Sequence, residues 1–324
     1  MIILNMKRIM KNLSNKVKIV EVGLRDGLQN EKQIVPVNVK IELLNRLSNS
    51  GLKSIEIGSF VSPIWVPQMQ DTHKLCSYIK HQKYKDGSKR LKTDGISYSV
   101  LTPNLKGLYS AINYGGINEV VIFGSASEEF STRNINCSVD ESIERFEPVV
   151  KTALEQGIRV RGYVSCVLGC PFEGPVDPIN VARVTKHMID MGCYEVSLGD
   201  TIGAGCPDTT RDLLDCLIKQ KKISPNVLAA HFHDTNGRAL ENIKVALDYG
   251  IRVIDSSISG LGGCPYAGSG SNGNVATEDV VDMLNQSGIE TGVNINKLLL
   301  ASKYIDHVMY RETNSKLSKK EKMD

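Results

Sequence analysis

Two histidines separated by one residue, His231 and His233, stand at the end of the apolar run 227–230 and just ahead of a helical pattern. In a strand, positions i and i+2 share a face, so both imidazoles aim at one place. Two neutral imidazole nitrogens presented together suit a divalent cation. A second apolar run ends in EVGLRDG at 21–27, which delivers Arg25 and Asp26. Asp26 with the two imidazoles makes a mixed oxygen and nitrogen set fit for Mg²⁺, Mn²⁺, Fe²⁺, Co²⁺ or Zn²⁺, and the lack of a thiolate argues against a closed structural zinc site. The plainer alternative has Asp26 capping a turn and the histidines bonded to one another or to the backbone. A third segment, GLGGCPYAG at 260–268, is dense in glycine and carries Cys264. It can close over a ligand and bring a thiol inward, or serve only as a flexible connector. Asn274 follows, near the start of a helical pattern, where capping is the default role and metal ligation through the amide oxygen the other; spacing leaves both open.

These residues need a scaffold that brings separated strand ends together. Apolar, β-branched runs at 17–22, 54–57, 96–101, 119–123, 159–165, 195–198, 227–233 and 253–257 alternate with amphipathic stretches at about 38–50, 67–80, 104–114, 139–156, 178–191, 208–220, 236–249 and 275–287. Eight strand and helix units in series predict a (β/α)8 TIM barrel rather than a doubly wound sheet, with an additional C-terminal helix at about 294–309. Gly51, Gly115, Gly157, Gly192, Gly250 and Gly288 each follow an amphipathic run, where a left-handed residue ends a helix. In a barrel the active site forms at the C-terminal strand ends, which is where Arg25, Asp26, His231 and His233 fall. We expect one catalytic domain over 17–310, a basic segment before it at 1–16, and a mobile lysine-rich tail at 311–324.

Composition narrows the partners. Hydrophobic residues make up 41% and charged residues 23%, with no apolar run near 18 residues, so no membrane span is expected. A net charge of +3 is too small to imply nucleic acid, although it permits a local basic pocket for a phosphate-bearing ligand. The basic stretch 80–93 lacks the interleaved aromatics of a nucleic-acid surface and reads as a solvated loop. Eight scattered cysteines, without paired metal spacings, predict free thiols in a reducing compartment. Cys166 and Cys170 have no second Cys or His pair nearby for structural zinc. Residues 1–16 carry Lys7, Arg8, Lys11 and Lys16 with no acid, which fits a short mitochondrial presequence or a frayed basic start equally well.

Eight segments together point to a family. EVGLRDGLQNEK at 21–32, SFVSPIWVPQM at 59–69, LTPNLKG at 101–107, NINCS at 134–138, RGYVSCVLG at 161–169, SLGDTIG at 197–203, HFHDT at 231–235 and GLGGCPYA at 260–267 resemble hydroxymethylglutaryl-CoA lyases, and the likeness runs from about residue 16 to about 315. The Arg-Asp pair and the HxHD segment are shared with a wider group of metal-dependent aldol and Claisen barrels; the segments at 59–69 and 260–267 point more narrowly to the lyases.

The resemblance implies cleavage of 3-hydroxy-3-methylglutaryl-CoA to acetyl-CoA and acetoacetate, with Mg²⁺ or Mn²⁺ held by Asp26, His231, His233 and Asn274. It implies that Arg25 stabilises developing negative charge, with His231 and Cys264 as candidates for proton transfer, and that Glu56 and Asp200 orient Arg25 and the metal ligands. Arg25, Arg133, Asn134, Arg161 and Thr201 are the implied contacts to the CoA thioester. The same likeness implies a homodimer and a mitochondrial matrix location, with the cytoplasm as the alternative. Gly58 stands where relatives usually have threonine, so one substrate hydroxyl contact is expected to be missing. A Claisen-condensing synthase and a silent CoA-binding relative are the competing readings. Synthases of that kind usually append a further domain, and a silent relative should lack one of Arg25, Asp26, the histidines or Cys264.

Overall fold

The computed structural model describes residues 15–81, 91, 94–263 and 273–321. Residues 1–14, most of the basic stretch at 82–93, and Cys264 lie outside the described residues. Eight parallel strands close into a barrel in chain order, β1 (Lys18–Glu21), β2 (Ser54–Ser59), β3 (Ser97–Leu101), β4 (Glu119–Ser125), β5 (Arg159–Ser165), β6 (Glu195–Asp200), β7 (Leu228–Phe232) and β8 (Val253–Ser256). The TIM barrel expected from the alternating pattern is therefore present. Closure runs from Lys18 opposite Val253 to Glu21 opposite Ser256, which sets the two ends of the sequence side by side.

The helices are α1 (Val37–Asn49), α2 (Thr72–Lys80), α3 (Leu105–Tyr114), α4 (Glu128–Ile135), α5 (Val139–Glu155), α6 (Pro178–Met191), α7 (Pro207–Leu214), α8 (Ala239–Asp248), α9 (Thr277–Gln286), α10 (Ile295–Val308) and α11 (Lys316–Lys320). Local chemistry sets their ends. Ser138 and Glu141 form a reciprocal capping box at the start of α5, and Asp177 caps α6 ahead of Pro178. All six glycines expected to end helices have positive φ; Gly192 after α6, at φ +112, shows why, since a β-carbon there would be strained. The stretch expected as one helix at 67–80 is split, with a 3-10 turn at Pro67–Met69 ahead of α2. The stretch 208–220 likewise passes from α7 into a π-helix at Asp215–Gln220.

Alternation along the strands separates two environments. Ile55 and Ile57 on β2, Val160 and Val164 on β5, and Val196 and Leu198 on β6 join helix residues such as Leu43, Val149 and Leu213 in the main core. Burying each such side chain stabilises by about 1.5–3 kcal/mol. Their alternate neighbours Glu56, Arg161, Tyr163, Glu195 and Ser197 are buried on the opposite side of the sheet, inside the barrel. Charges there must be paired to be tolerated, and they are.

The tail differs from expectation over its described part. Residues 311–321 fold back on the barrel because Asp279 gathers them: its carboxylate accepts from the Ser315 hydroxyl at 2.8 Å and from the amides of Lys316 and Leu317, each at 2.9 Å. Lys316 reaches Asp234 at 3.1 Å. The sequence reading took the lysines for a solvated run and overlooked the buried serine between them.

Candidate active site at the mouth of the barrel

Arg25 and Asp26 lie on a single-turn π-helix, Gly23–Gly27, directly after β1. Such turns widen the backbone and recur at functional sites. Here it sets two adjacent side chains toward the mouth. Arg25 is clasped on both flanks: its Nε lies 2.9 Å from Oε1 of Glu56 and its NH1 2.6 Å from Oδ1 of Asp26. Burial works against that guanidinium charge, but Glu56 and Asp26 outweigh it and hold the group protonated. Burial pushes the Glu56 carboxyl up, offset in part by Arg25 and by the Tyr163 hydroxyl, which donates to Oε2 at 2.8 Å. Glu56 thus holds Arg25 in place, and Tyr163 in turn holds Glu56.

His231 is the next-to-last residue of β7, and His233 stands just beyond the strand, held by an isolated antiparallel bridge to Asn274. Their rings lie 5.4 Å apart. The Nε2 atoms of His231 and His233 face Oδ2 of Asp26 at 3.7 and 3.9 Å. These distances are too long for hydrogen bonds. Ligand atoms of Asp26, His231 and His233 all fall within 4.8 Å of one another. Donors bound about 2.1 Å from one octahedral ion lie about 3 to 4 Å apart, so this cluster has the spacing to share a sphere after small adjustment. Asn274 stands beside these three, donating from Nδ2 to Oδ2 of Asp26 at 2.7 Å. α9 begins only at Thr277, so Asn274 lies ahead of the cap position and next to the cluster instead.

Burial, reinforced by the charge of His231, depresses His233 to about 4, which keeps it a neutral ligand. Burial also opposes charge on His231, yet its hydrogen bond to Asp255 and the negative charge of nearby Asp26 push it up to about 9. Asp26 is held well below the usual carboxylate range because Arg25 and His231 outweigh burial. Neutral His233 beside the ionised Asp26 carboxylate suits a divalent cation, and His231 can join them on losing its proton.

Several sequence expectations are revised. Arg161, expected against the thioester, is 1% exposed inside the barrel, where NH1 and NH2 grip Asp255 at 2.9 and 2.7 Å and Nε donates to Glu195 at 2.7 Å. Its effect reaches the mouth indirectly, since Asp255 also takes Nδ1 of His231 at 3.2 Å and the Ser197 hydroxyl at 2.8 Å. Asp200, expected to orient Arg25 and the metal ligands, instead turns both oxygens to the amides of Ala204 and Gly205 in its own loop, at 3.0 and 2.9 Å. A β-carbon at Gly58 would strike Thr72 Oγ1 at 2.5 Å, so a threonine there would point toward α2 and the expected loss of a substrate contact does not follow. Thr201 accepts from the Cys166 amide at 2.9 Å, tying the exits of β5 and β6. Arg133 and Asn134 lie on α4, a helix the sequence reading left as loop; Arg133 pairs with Glu129 at 2.6 Å and lies over the Phe172 ring at 4.3 Å. Sequence reasoning also missed Glu21, Tyr163, Ser197 and Asp255. The inward period of two along β5, which links Arg161 to Tyr163, was the signal available for one of them.

A family model described as HMGL-like matches residues 16–305. The chain belongs to the HMGL-like family. It is 53% identical over 94% of its length to the mitochondrial hydroxymethylglutaryl-CoA lyase of Bos taurus, covering 89% of that protein. It is 52% identical over 95% of its length to a cytoplasmic 3-hydroxy-3-methylglutaryl-CoA lyase of Homo sapiens, covering 80% of that protein. Among solved structures, the hydroxymethylglutaryl-CoA lyase of Pseudomonas aeruginosa superposes with a TM-score of 0.88 at 49% identity, over 96% of this chain and 99% of the other. An HMG-CoA lyase of Acinetobacter baumannii, solved with coenzyme A and 3-methylmalate, superposes with a TM-score of 0.83 at 33% identity, over 94% and 95% of the two chains.

Proposed function

We infer that this chain cleaves 3-hydroxy-3-methylglutaryl-CoA to acetyl-CoA and acetoacetate. The observation that carries this is the convergence of Asp26, His231 and His233 beside a guanidinium fixed by Glu56. Asp26, His231, His233 and Asn274 would hold Mg²⁺ or Mn²⁺, which supplies Lewis acidity toward the substrate's 3-hydroxyl and carboxylate oxygens when bound. The bond between C2 and C3 breaks, its electrons pass to the acetyl thioester as an enolate, and the hydroxyl-bearing carbon becomes the ketone of acetoacetate. Arg25 stabilises the enolate oxygen. Such a preorganised donor is worth about 10²- to 10³-fold in rate.

Two proton transfers complete the balance. His231 commits Nδ1 to Asp255, which leaves Nε2 to take the hydroxyl proton in an interval when that nitrogen is not ligated. Cys264 is the proposed acid that protonates the enolate carbon. Arg133 and Asn134 on α4, with Thr201, are the proposed contacts to the coenzyme A portion, for which cationic and amide donors are suited. We further propose a homodimer and, with residues 1–16 acting as a presequence, a mitochondrial matrix location. Among the described residues, no helix is long and apolar enough to cross a membrane.

The deciding assay supplies metal-loaded protein with 3-hydroxy-3-methylglutaryl-CoA and follows acetoacetate release, in parallel with acetyl-CoA plus glyoxylate or 2-oxoisovalerate. Acetoacetate should form in the first arm and no condensation product in the second. Condensation alone would overturn the reading.

A further inference from the structure

Three segments meet at one carboxylate that touches none of the reacting groups. Glu21, the last residue of β1, is fully buried. Its Oε1 accepts from the Gly23 amide and from the Ile258 amide, each at 2.8 Å, and its Oε2 accepts from the Thr277 hydroxyl at 2.7 Å. Gly23 opens the π-helix that carries Arg25 and Asp26. Ile258 begins the turn Ile258–Gly260 that follows β8. Thr277 is the first residue of α9, three positions after Asn274. The chain therefore leaves the barrel at 258 and returns at 277 past the same side chain.

Backbone bonds close around that junction. The Val22 amide donates to Ser256 at 2.9 Å, Ser257 donates to Val275 at 3.0 Å, and Thr277 donates to Ser257 at 3.0 Å. The fit at Gly23 is tight, since a β-carbon there would stand 2.6 Å from Oε1 of Glu21. Asp26 and Asn274 are the two proposed ligands farthest apart in sequence, and the direct bond between them is a single contact of 2.7 Å. Two loops that meet at one contact would sample many separations; a common anchor at their roots removes that freedom before the ion arrives.

We propose that Glu21 is a positioning residue that fixes the spacing of Asp26 and Asn274 and thereby sets how tightly the ion is held. It rests on the reading of those two residues as metal ligands. Burial pushes the Glu21 carboxyl up to about 7 against the pull of its three hydrogen bonds, so the pocket suits a neutral group of the same shape as well as a carboxylate. Glutamine should therefore substitute: its oxygen can accept both amides while its NH₂ donates to the Thr277 hydroxyl. Alanine leaves two buried amides without an acceptor.

The test titrates the full-length protein with Mn²⁺ and follows free ion by electron paramagnetic resonance, with circular dichroism to verify the fold. Glu21→Ala should weaken Mn²⁺ binding about 10- to 100-fold, the range found for partners that orient metal ligands. Glu21→Gln should bind close to wild type, and Thr277→Val should show a smaller loss in the same direction. Folded Glu21→Ala with unchanged affinity, or Glu21→Gln as weak as alanine, overturns the proposal. Should Glu21→Ala fail to fold, Thr277→Val decides, and unchanged affinity there overturns it. Asp26→Asn separates the two readings: if that variant keeps wild-type affinity, the ligand assignment itself falls and the proposal with it, whereas loss in Asp26→Asn with none in Glu21→Ala removes the positioning role alone.

Discussion

Two arginines sit at equal distance from one aromatic ring and do different work. The Cζ atoms of Arg25 and Arg161 each lie 5.1 Å from the centre of Tyr163, and each guanidinium is gripped by two carboxylates, Glu56 and Asp26 in one case, Glu195 and Asp255 in the other. The difference lies in what their partners keep in reserve. The Asp255 side chain is 0% exposed, and its oxygens are committed to Arg161, Ser197 and His231. Asp26 is 19% exposed and directs Oδ2 into a gap between two imidazole nitrogens. A carboxylate crowded by a guanidinium, a hydroxyl and an imidazole can only hold the barrel together, whereas Oδ2 of Asp26 accepts from the Asn274 amide and keeps a lone pair for a further ligand.

That contrast can be broken by experiment. Arg161→Met removes the two-pronged partner of Asp255, leaving it only His231 and Ser197 while Glu195 keeps Lys18, and should cost about 3 kcal/mol of stability in denaturant unfolding. A stable, fully folded variant would show that the inner pair is not structural. Arg25→Lys should retain the fold but lower the acetoacetate release rate about 10²- to 10³-fold, because a point charge does not reproduce the planar fork between Glu56 and Asp26. Near-normal turnover would place the charge stabilisation elsewhere. Asp255→Asn should weaken Mn²⁺ binding about 10- to 100-fold through loss of the acceptor on His231 Nδ1, and an unchanged titration would uncouple the two arginine clusters.

The smallest effect concerns Glu278, a buried carboxyl bonded to neutral groups. Glu278 accepts from the Ser259 amide, and burial pushes it up to about 8 from 4.5. A raised carboxyl means the folded state holds its proton more tightly than the unfolded chain. Stability from this group is fully present below about pH 4.5 and is lost as pH rises through about 8. Glu278→Gln should flatten the fall in melting temperature over that window, a change of roughly 1–3 kcal/mol at its upper end. An identical pH profile in the variant would dismiss Glu278 as its source.

All eight strands and the meeting of Asp26 with the two histidines were legible because they obey short periods: β-branched runs, the i and i+2 histidines, and the Arg-Asp pair at a strand end. What escaped obeys longer rules. The π-helix at Gly23–Gly27 has two glycines and no periodicity to betray it. α4 is short and polar, although Ser127 followed by Glu128 and Glu129 was a readable start signal. Arg161 was taken for a ligand-facing residue because only tertiary structure reveals that Asp255, 94 positions later, reaches it first. Asp200 was misread for the opposite reason, since its partners are the next few amides of its own loop.

The seam between β1 and β8 has a consequence for biosynthesis. Arg25 and Asp26 are synthesised long before the strand that closes beside them, and 248 positions before the asparagine that meets the aspartate. Partial products therefore hold a guanidinium and a carboxylate with no cage around them, and the mouth assembles only once β8 has been made and has joined β1.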